Sequence, residues 1–258
     1  MKSKVQTRFT GIIPARYGSS RFPGKPLAVI GGRSMIQRVY EQASKALDEV
    51  WVATDDERIL STVNAFGGRA VMTSSSHRSG TDRCAEAMTL ISGGETDGDT
   101  VVINIQGDEP FIMPEQIQAV MECFNEPEVQ IATLVRKFDA GEDPGNVNQP
   151  KVVLSKNMDA LYFSRSVIPY IRDAGTGEWL SKHLFYRHIG LYGYRTDTLM
   201  QITKLPQSPL EIAESLEQLR WLENGFKIRC SVTEWESLGI DTPSDIGKAE
   251  ALLKALDG

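Results

Sequence analysis

Residues 10–26 read TGIIPARYGSSRFPGKP, an apolar β-branched run that passes directly into a basic loop containing glycine and serine. Arg16, Arg21 and Lys25 stand in this loop with no acidic residue among them. Glycine lets backbone N–H groups approach an anion closely, serine adds hydroxyl donors, and the cations neutralise the charge of the anion. The stretch therefore predicts a phosphate-binding loop at the end of a first β-strand, although glycine, proline and serine also form ordinary turns.

Strand and helix patterns alternate through the first half of the chain. Further strand patterns lie at 50–55, 69–73 and 100–105, and helical patterns lie near 34–47, 56–66 and 79–91. This alternation predicts βαβ units on a parallel sheet. Ligands bind beyond the carboxyl ends of the strands in such sheets, so the basic loop, ATDD at 53–56 and QGDEP at 106–110 are expected to meet at one edge.

The second half has more strand and less helix. A helix is predicted from Pro114 to about Phe124, and a helix with Thr242 as N-cap and Pro243 as first helical residue closes the chain. Between them lie strand patterns at 130–135, 151–155, 160–164, 191–195 and 226–232, and one helical pattern at 211–224. The organisation predicted is one α/β domain over 1–258, in which about 150–210 form an insertion for the second substrate and for dimerisation.

Composition limits the function classes. The chain has 258 residues, 28 basic and 34 acidic, and a net charge of −6, which disfavours general nucleic-acid binding. Its three cysteines form no CxxC pair and favour a reducing, cytoplasmic location. No apolar run approaches the roughly 20 residues needed to span a bilayer, so no membrane association is expected.

QGDEP supplies candidate metal chemistry. Asp108 follows a buried strand, where a carboxylate beside a polyphosphate is a typical ligand of Mg²⁺, although it could also only shape a turn before Pro110. Asp241 in GIDTP could be a second acid, or an ordinary helix-entry residue. The spacing of the histidines predicts no metal site, and GxSxG, GxGxxG and Walker A motifs are absent. A polyphosphate loop with nearby carboxylates suggests nucleotidyl transfer.

These residues resemble a known family. RYGSSRFPGKPL is similar to the RxxSxRxPxK signature of sugar nucleotidyltransferases that use CTP. HRSGTDR, NIQGDEP, YFSRSVIP, RHIGLYGYR, SPLEIAESLEQLR and GIDTPSD follow in the same order as blocks of the CMP-Kdo synthetases, the 3-deoxy-manno-octulosonate (Kdo) cytidylyltransferases. The resemblance implies a GT-A-like α/β domain with a mixed, mostly parallel sheet between helices and a small inserted subdomain. It also implies a cytosolic, Mg²⁺-dependent homodimer that makes CMP-Kdo and pyrophosphate from CTP and Kdo for lipopolysaccharide biosynthesis.

The resemblance also implies site residues. Arg16, Arg21, Lys25 and Asp108 are the expected catalytic residues, and Asp108 and Asp241 the expected metal ligands. The nucleotide is expected to contact Ala15, Arg16, Ser19, Ser20, Arg21, Lys25, Ala53, Thr54, Asp55, Ser79 and Gly80. The sugar acid is expected to contact Arg83, Gln106, Arg165, His188, Tyr192, Glu217 and Gln218. Arginine suits this role because a guanidinium can pair with a carboxylate through two parallel hydrogen bonds.

Three other readings stay open from the sequence. The nearest is a cytidylyltransferase for another sugar acid, such as a sialic acid or 8-amino-Kdo. A GT-A glycosyltransferase shares the sheet but usually carries a DxD motif, which QGDEP is not. A nucleotide sensor without catalysis could keep the basic loop but would not need two metal-binding aspartates.

Overall fold

The computed structural model describes residues 7–18, 21–94, 98–236 and 238–257. Its strands are β1 Arg8–Ala15, β2 Val29–Ile30, β3 Arg33–Ser34, β4 Val50–Thr54, β5 Ala70–Met72, β6 Thr100–Asn104, β7 Ile131–Lys137, β8 Lys151–Leu154, β9 Ala160–Ser164, β10 Tyr186–Arg195 and β11 Ile228–Val232. Its α-helices are α1 Met35–Ala43, α2 Glu57–Ala65, α3 Gly80–Ile91, α4 Pro114–Cys123, α5 Trp179–Lys182, α6 Thr196–Ile202, α7 Pro209–Glu214, α8 Gln218–Glu223 and α9 Asp245–Asp257. Single 3₁₀ turns lie at Lys25–Leu27 and Thr176–Glu178.

The chain divides into two compact units. The first comprises Met1–Gln118, Arg195–Thr203 and Ser237–Gly258, and the second comprises Ala119–Tyr194 and Lys204–Glu236. The segment at about 150–210 that the sequence marks as an insertion lies mainly in the second unit, which begins earlier, within α4.

The first unit is built on four parallel strands in the order β6-β1-β4-β5. β6 is buried along its whole length and β1 over most of it, as expected for parallel strands covered on both faces. The predicted alternation of strands and helices in this half is therefore confirmed. The carboxyl ends of β1, β4 and β6 lie at one edge, since Ile12 is in register with both Trp51 and Asn104.

Local sequence explains where α1 begins. Ser34 caps the helix by accepting a hydrogen bond from the Gln37 N–H at 3.3 Å. Ile36, Val39 and Ala43 are fully buried along one face. The helix ends at Ala43, four residues short of the predicted end.

The last helix begins later than the sequence suggests. The Asp245 carboxylate accepts hydrogen bonds from the hydroxyl and the N–H of Thr242 at 2.8 and 2.9 Å, which lowers the pKa of Asp245 to about 2. Thr242 and Pro243 therefore lie in a turn that precedes the helix, and the prediction of Pro243 as first helical residue was wrong.

The second unit contains a mixed sheet. β11 pairs in parallel with β7, β7 pairs antiparallel with β10, and β8 pairs antiparallel with both β10 and β9. An aromatic cluster of Phe138, Trp179 and Phe185 forms a small core in this unit. The predicted α/β class is confirmed, and within the described ranges no helix is long and apolar enough to cross a membrane.

The helix predicted at 211–224 is wrong as a single element. Ser215 adopts the left-handed conformation, with φ 51° and ψ 48°, and separates α7 from α8. Ile212 shares the helical spacing of Leu216 and Leu219, yet it is 63 % exposed while both leucines are buried. The Ser215 carbonyl at this break accepts a hydrogen bond from the Arg165 guanidinium, which is 50 residues away in the sequence.

Candidate active site

The basic loop after β1 folds back on itself at Gly24. The Gly24 N–H donates to the Tyr17 carbonyl at 2.9 Å, and its φ of +71° is favourable for glycine alone. A Cβ at this position would also lie 3.0 Å from the Tyr17 ring. Glycine at this turn therefore allows Lys25, the first residue of the following 3₁₀ turn, to enter the site.

The QGDEP turn after β6 lies against the end of β1. A Cβ on Gly107 would lie 2.9 Å from the Pro14 carbonyl oxygen, so only glycine allows this approach of two backbones. The next residue, Asp108, accepts a hydrogen bond through its carbonyl from the Ile240 N–H at 2.9 Å. This bond brings Asp241 beside Asp108, although the two are far apart in the sequence.

The cations of the basic loop contact both carboxylates. Lys25 Nζ lies 2.6 Å from Asp108 Oδ2 and 3.5 Å from Asp241 Oδ1. Arg21 donates to both Asp241 oxygens, at 3.2 and 3.0 Å. The Lys25 side chain is 15 % exposed, against 66 % for Arg21, so the Lys25–Asp108 pair is the more desolvated of these contacts.

Helix α3 presents its N-terminus to the same region. The Ser79 hydroxyl caps the helix by accepting from the Asp82 N–H at 3.1 Å, and Gly80 is the first helical residue. The helix has twelve residues, and its first N–H groups and positive dipole end favour an anion.

Arg83, one turn into α3, is 4 % exposed and held by two partners. Its guanidinium donates to Asp55 at 2.8 Å and to the Thr73 hydroxyl at 2.6 Å. Asp55 follows β4 and Thr73 follows β5, so the sheet fixes this arginine in place.

A cavity of about 280 Å³ collects these features. It is lined by Pro14, Ala15, Arg16, Arg21, Lys25, Pro26, His77, Arg78, Ser79, Gly80, Arg83, Gln106, Gly107, Asp108 and Asp241. Among the described residues, five arginines and lysines face two carboxylates there, so the cavity favours an anionic ligand. Most predicted residues of the first unit are thus brought together.

His77 and Arg78 are cavity residues that the sequence reasoning did not identify. The His77 ring pairs with Glu86. Burial raises the pKa of Glu86, but hydrogen bonds from the His77 ring and from the Ser74 N–H outweigh it and lower the pKa below its ordinary value. The signal was available, because both residues follow β5 at the same sheet edge as the basic loop.

Several predicted nucleotide contacts lie outside this cavity. Ala53 and Thr54 are fully buried in β4, and their contact with a nucleotide stays a prediction. Asp55 reaches the cavity indirectly, through Arg83. Ser19 and Ser20 lie outside the described residues.

The predicted sugar-acid residues, apart from Arg83 and Gln106, belong to the second unit. The His188 and Tyr192 rings are 5.2 Å apart on β10. Burial lowers the pKa of His188 to about 3 and raises that of Tyr192 well above its usual range. His188 is therefore a neutral imidazole at physiological pH.

The tautomer of His188 follows from Thr133. The Thr133 hydroxyl is 2.8 Å from the Leu191 carbonyl and 3.2 Å from that of Ile189, so its single proton is donated there. It then accepts from His188 Nε2–H at 3.0 Å, which leaves Nδ1 as an acceptor.

Gln218 and Glu217 lie where α8 begins. Gln218 is 5 % exposed, and its Nε2 has no hydrogen-bond partner within the described ranges, as expected of a group that a ligand completes. Glu217 lies 3.1 Å from Arg220. Arg165 is nearby in this unit, but each of its guanidinium nitrogens donates to a backbone carbonyl.

The residues present fit Mg²⁺. Asp108 and Asp241 share the Lys25 ammonium, so their oxygens border one small volume beside the cationic loop. No group of three or more His, Cys, Asp or Glu side chains that could enclose a metal exists in the part of the chain that the structure describes. Two carboxylates, completed by phosphate oxygens and water, are the usual protein contribution to Mg²⁺ at a nucleotide.

Comparisons with known proteins agree with this architecture. Residues 10–228 match the family model described as cytidylyltransferase. The 3-deoxy-manno-octulosonate cytidylyltransferase of Bacteroides thetaiotaomicron is 61 % identical over 96 % of this chain and 98 % of its own length. That of Thermodesulfovibrio yellowstonii is 51 % identical over 94 % of this chain and 96 % of its own length.

A solved structure is also similar. It is that of a CMP:2-keto-3-deoxy-manno-octonic acid synthetase complexed with CTP, with a TM-score of 0.88 and 42 % identity over 97 % of this chain and all of that one. The chain therefore belongs to the cytidylyltransferase family and, within it, to the 3-deoxy-manno-octulosonate cytidylyltransferases.

Proposed function

We propose that this protein transfers the cytidylyl group of CTP to Kdo, giving CMP-Kdo and pyrophosphate for lipopolysaccharide biosynthesis. The observation that carries the proposal is the cavity of the first unit, where the basic loop, the N-terminus of α3 and two carboxylates converge. The names of the relatives, and the CTP in the similar solved structure, support the choice of CTP and Kdo.

The triphosphate binds at the cationic side of the cavity. Arg16, Arg21 and Lys25 neutralise its charge, and the N–H groups at the start of α3 donate to its oxygens. The anomeric hydroxyl oxygen of Kdo attacks the α-phosphorus in line and loses its proton to solvent. The bond from the α-phosphorus to the α–β bridging oxygen breaks, and pyrophosphate leaves with that electron pair. Catalysis here is mainly positioning and charge stabilisation, so no covalent enzyme intermediate is needed.

Asp108 and Asp241 hold Mg²⁺ in this proposal. The ion, when bound, supplies positive charge that polarises the phosphoryl oxygens. Before it binds, Lys25 and Arg21 occupy the carboxylates, so the site balances its own charge.

Polar groups of the second unit, among them His188, Glu217 and Gln218, recognise the sugar acid in this proposal. His188 Nδ1 accepts from a hydroxyl, and the buried Gln218 amide donates to an oxygen. A site that hydrogen-bonds specific hydroxyls rejects analogues that lack them, because its own buried groups are then unpaired.

The assay is release of pyrophosphate with CTP, Mg²⁺ and Kdo, repeated with UTP and ATP. Parallel reactions replace Kdo by a sialic acid or by 8-amino-Kdo, which tests the rival acceptors. Activity with Kdo at least tenfold above that with either analogue supports Kdo as the acceptor. Higher activity with one of the analogues would show that this analogue is the preferred acceptor.

We further propose a cytoplasmic homodimer. All three cysteines are free, which suits a reducing compartment. Tyr170 and Leu184, beside the aromatic cluster of the second unit, are 72 % and 47 % exposed and offer an apolar surface to a second copy. Light scattering at micromolar concentration tests this, and a monomeric mass contradicts it.

A further inference from the structure

The guanidinium of Arg165 binds the main chain of two other segments. Nε donates to the Glu214 carbonyl at 2.7 Å, Nη1 to the Val147 carbonyl at 2.9 Å and Nη2 to the Ser215 carbonyl at 3.2 Å. Glu214 and Ser215 end α7, where helix carbonyls lack partners within the helix. Arg165, which directly follows β9, therefore supplies donors to the carbonyls at the C-terminus of α7, about 50 residues away in sequence.

The Glu214 side chain in turn binds the end of β9 and the residue that follows it. Its carboxylate accepts from the Arg165 N–H at 2.9 Å and from the Ser164 hydroxyl at 2.6 Å. Side chain and main chain of each residue thus bind the other, a reciprocal arrangement that leaves little freedom at the joint.

Lys151 fixes the other side of Arg165. Its ammonium donates to the Arg165 carbonyl at 2.5 Å and to the Asn146 carbonyl at 3.0 Å. The residue has no exposed surface, and burial lowers its pKa. Because the Lys151 ammonium is buried and donates to two backbone carbonyls, it fixes the loop at Asn146 and the end of β9 and does not bind a ligand.

The joint that these residues hold determines where α8 begins. A serine in the left-handed conformation is strained and persists only where its surroundings enforce it. Three residues after Ser215 comes Gln218, whose buried Nε2 has no hydrogen-bond partner among the described residues. Trp221, in the same helix α8, contacts the ring of Tyr192 with the ring centroids 5.2 Å apart.

We propose that Arg165, with Glu214 and Lys151, is a positioning group that sets the α7–α8 joint and so aims Glu217 and Gln218 at the sugar acid. The guanidinium does not pair with the carboxylate of the substrate, contrary to what the family resemblance implies. The proposal rests on the proposed function, because it assumes that Kdo is the acceptor.

The test uses a Kdo analogue whose carboxylate is converted to the C1 amide. KM and kcat are measured for Kdo and for the amide at saturating CTP, and KM for CTP is measured at saturating Kdo. The proteins compared are the wild type, Arg165→Ala, Arg165→Lys, Glu214→Gln and the Arg165→Ala/Glu214→Gln double variant. Arg172→Ala, which removes an exposed arginine of the same unit, is the matched control. Thermal unfolding identifies variants that do not fold, and Glu214→Gln carries the test if the arginine variants fail.

A positioning role predicts that Arg165→Ala and Glu214→Gln each raise KM for Kdo by about tenfold and leave KM for CTP within about twofold, since each loses hydrogen bonds to a charged group. The double variant is no worse than Arg165→Ala, because both act through one joint. The preference for Kdo over the amide stays at the wild-type value throughout, and Arg165→Lys gives little rescue because an ammonium cannot span three carbonyls.

Direct pairing gives another result. If Arg165→Ala abolishes the preference for Kdo over the amide while Glu214→Gln keeps it, the guanidinium binds the substrate carboxylate and the proposal is wrong. A loss of kcat with KM for Kdo unchanged also overturns it, since that indicates only a smaller folded fraction. If the wild type releases no pyrophosphate with Kdo, the proposed function itself fails, which is a distinguishable outcome.

Discussion

Asp108→Asn is expected to have opposite effects on catalysis and on metal-free nucleotide binding. In the protein without ligands, Lys25 Nζ donates to Asp108 Oδ2 at 2.6 Å. Asp108 therefore competes with a phosphate for the Lys25 ammonium. Because the variant removes the negative charge, it releases Lys25 for CTP while removing a ligand of Mg²⁺.

The magnitude follows from that contact. A hydrogen bond to a charged group contributes about 1.5–3 kcal/mol, which corresponds to about 10- to 150-fold in Kd. Asp241 Oδ1, 3.5 Å from Lys25, still holds the ammonium in part, so the lower end applies. Metal-free CTP is expected to bind about tenfold more tightly to Asp108→Asn, while Mg²⁺-dependent pyrophosphate release falls by about 10² or more.

Calorimetric titration with CTP in EDTA measures the first effect, and a magnesium titration of activity measures the second. Lys25→Gln and Lys25→Gln/Asp108→Asn are the controls. In a protein that already lacks the Lys25 ammonium, Asp108→Asn cannot release it and changes CTP binding only through the loss of a negative charge. Unchanged or weaker binding of metal-free CTP by Asp108→Asn would show that Asp108 does not compete with the nucleotide for Lys25. Equal tightening in the Lys25→Gln background would show the same, and an unaltered magnesium titration would show that Asp108 is not a ligand of Mg²⁺.

Three further outcomes are expected. Lys25→Ala should lose about 10² or more in kcat, as for one preorganised transition-state donor, and near-normal turnover in the folded variant contradicts this role. Gly107→Ala should reduce kcat/KM for CTP, because its Cβ would lie 2.9 Å from the Pro14 carbonyl oxygen, and unchanged kinetics would show that the turn adapts. His188 titrates near 3 when folded and near 6.5 when unfolded, so its contribution to stability is complete above pH 6.5 and is lost as pH falls toward 3. Urea unfolding should show a loss of up to about 2 kcal/mol between pH 6.5 and 5 that His188→Asn lacks, and equal pH slopes in the two proteins argue against this.

The sequence predicts that the basic loop and QGDEP meet in one cavity because parallel strands end at a common edge. Lys25 and Asp108 are 83 residues apart, yet each follows a strand of the same sheet, and their contact follows from that topology. The spacing of the histidines does not reveal His77 as a cavity residue, whereas its position after β5 places it at the same sheet edge as the basic loop.

The break between α7 and α8 could not be predicted in the same way. The segment 211–224 has a continuous helical pattern with no glycine or proline before Asn224. The left-handed Ser215 is stabilised by the guanidinium of Arg165, which is 50 residues distant. The helix propensity of residues 211–224 does not depend on a residue 50 positions away. The position of Gln218 therefore cannot be predicted from the local sequence.

The decisive measurement for cytidylyl transfer is pyrophosphate release from CTP in the presence of Mg²⁺ and Kdo. Rapid release is expected with CTP and Kdo together, little release when either is omitted, and a strong preference for CTP over UTP and ATP. Absence of release with CTP and Kdo, from a folded protein that binds CTP, would contradict cytidylyl transfer to Kdo.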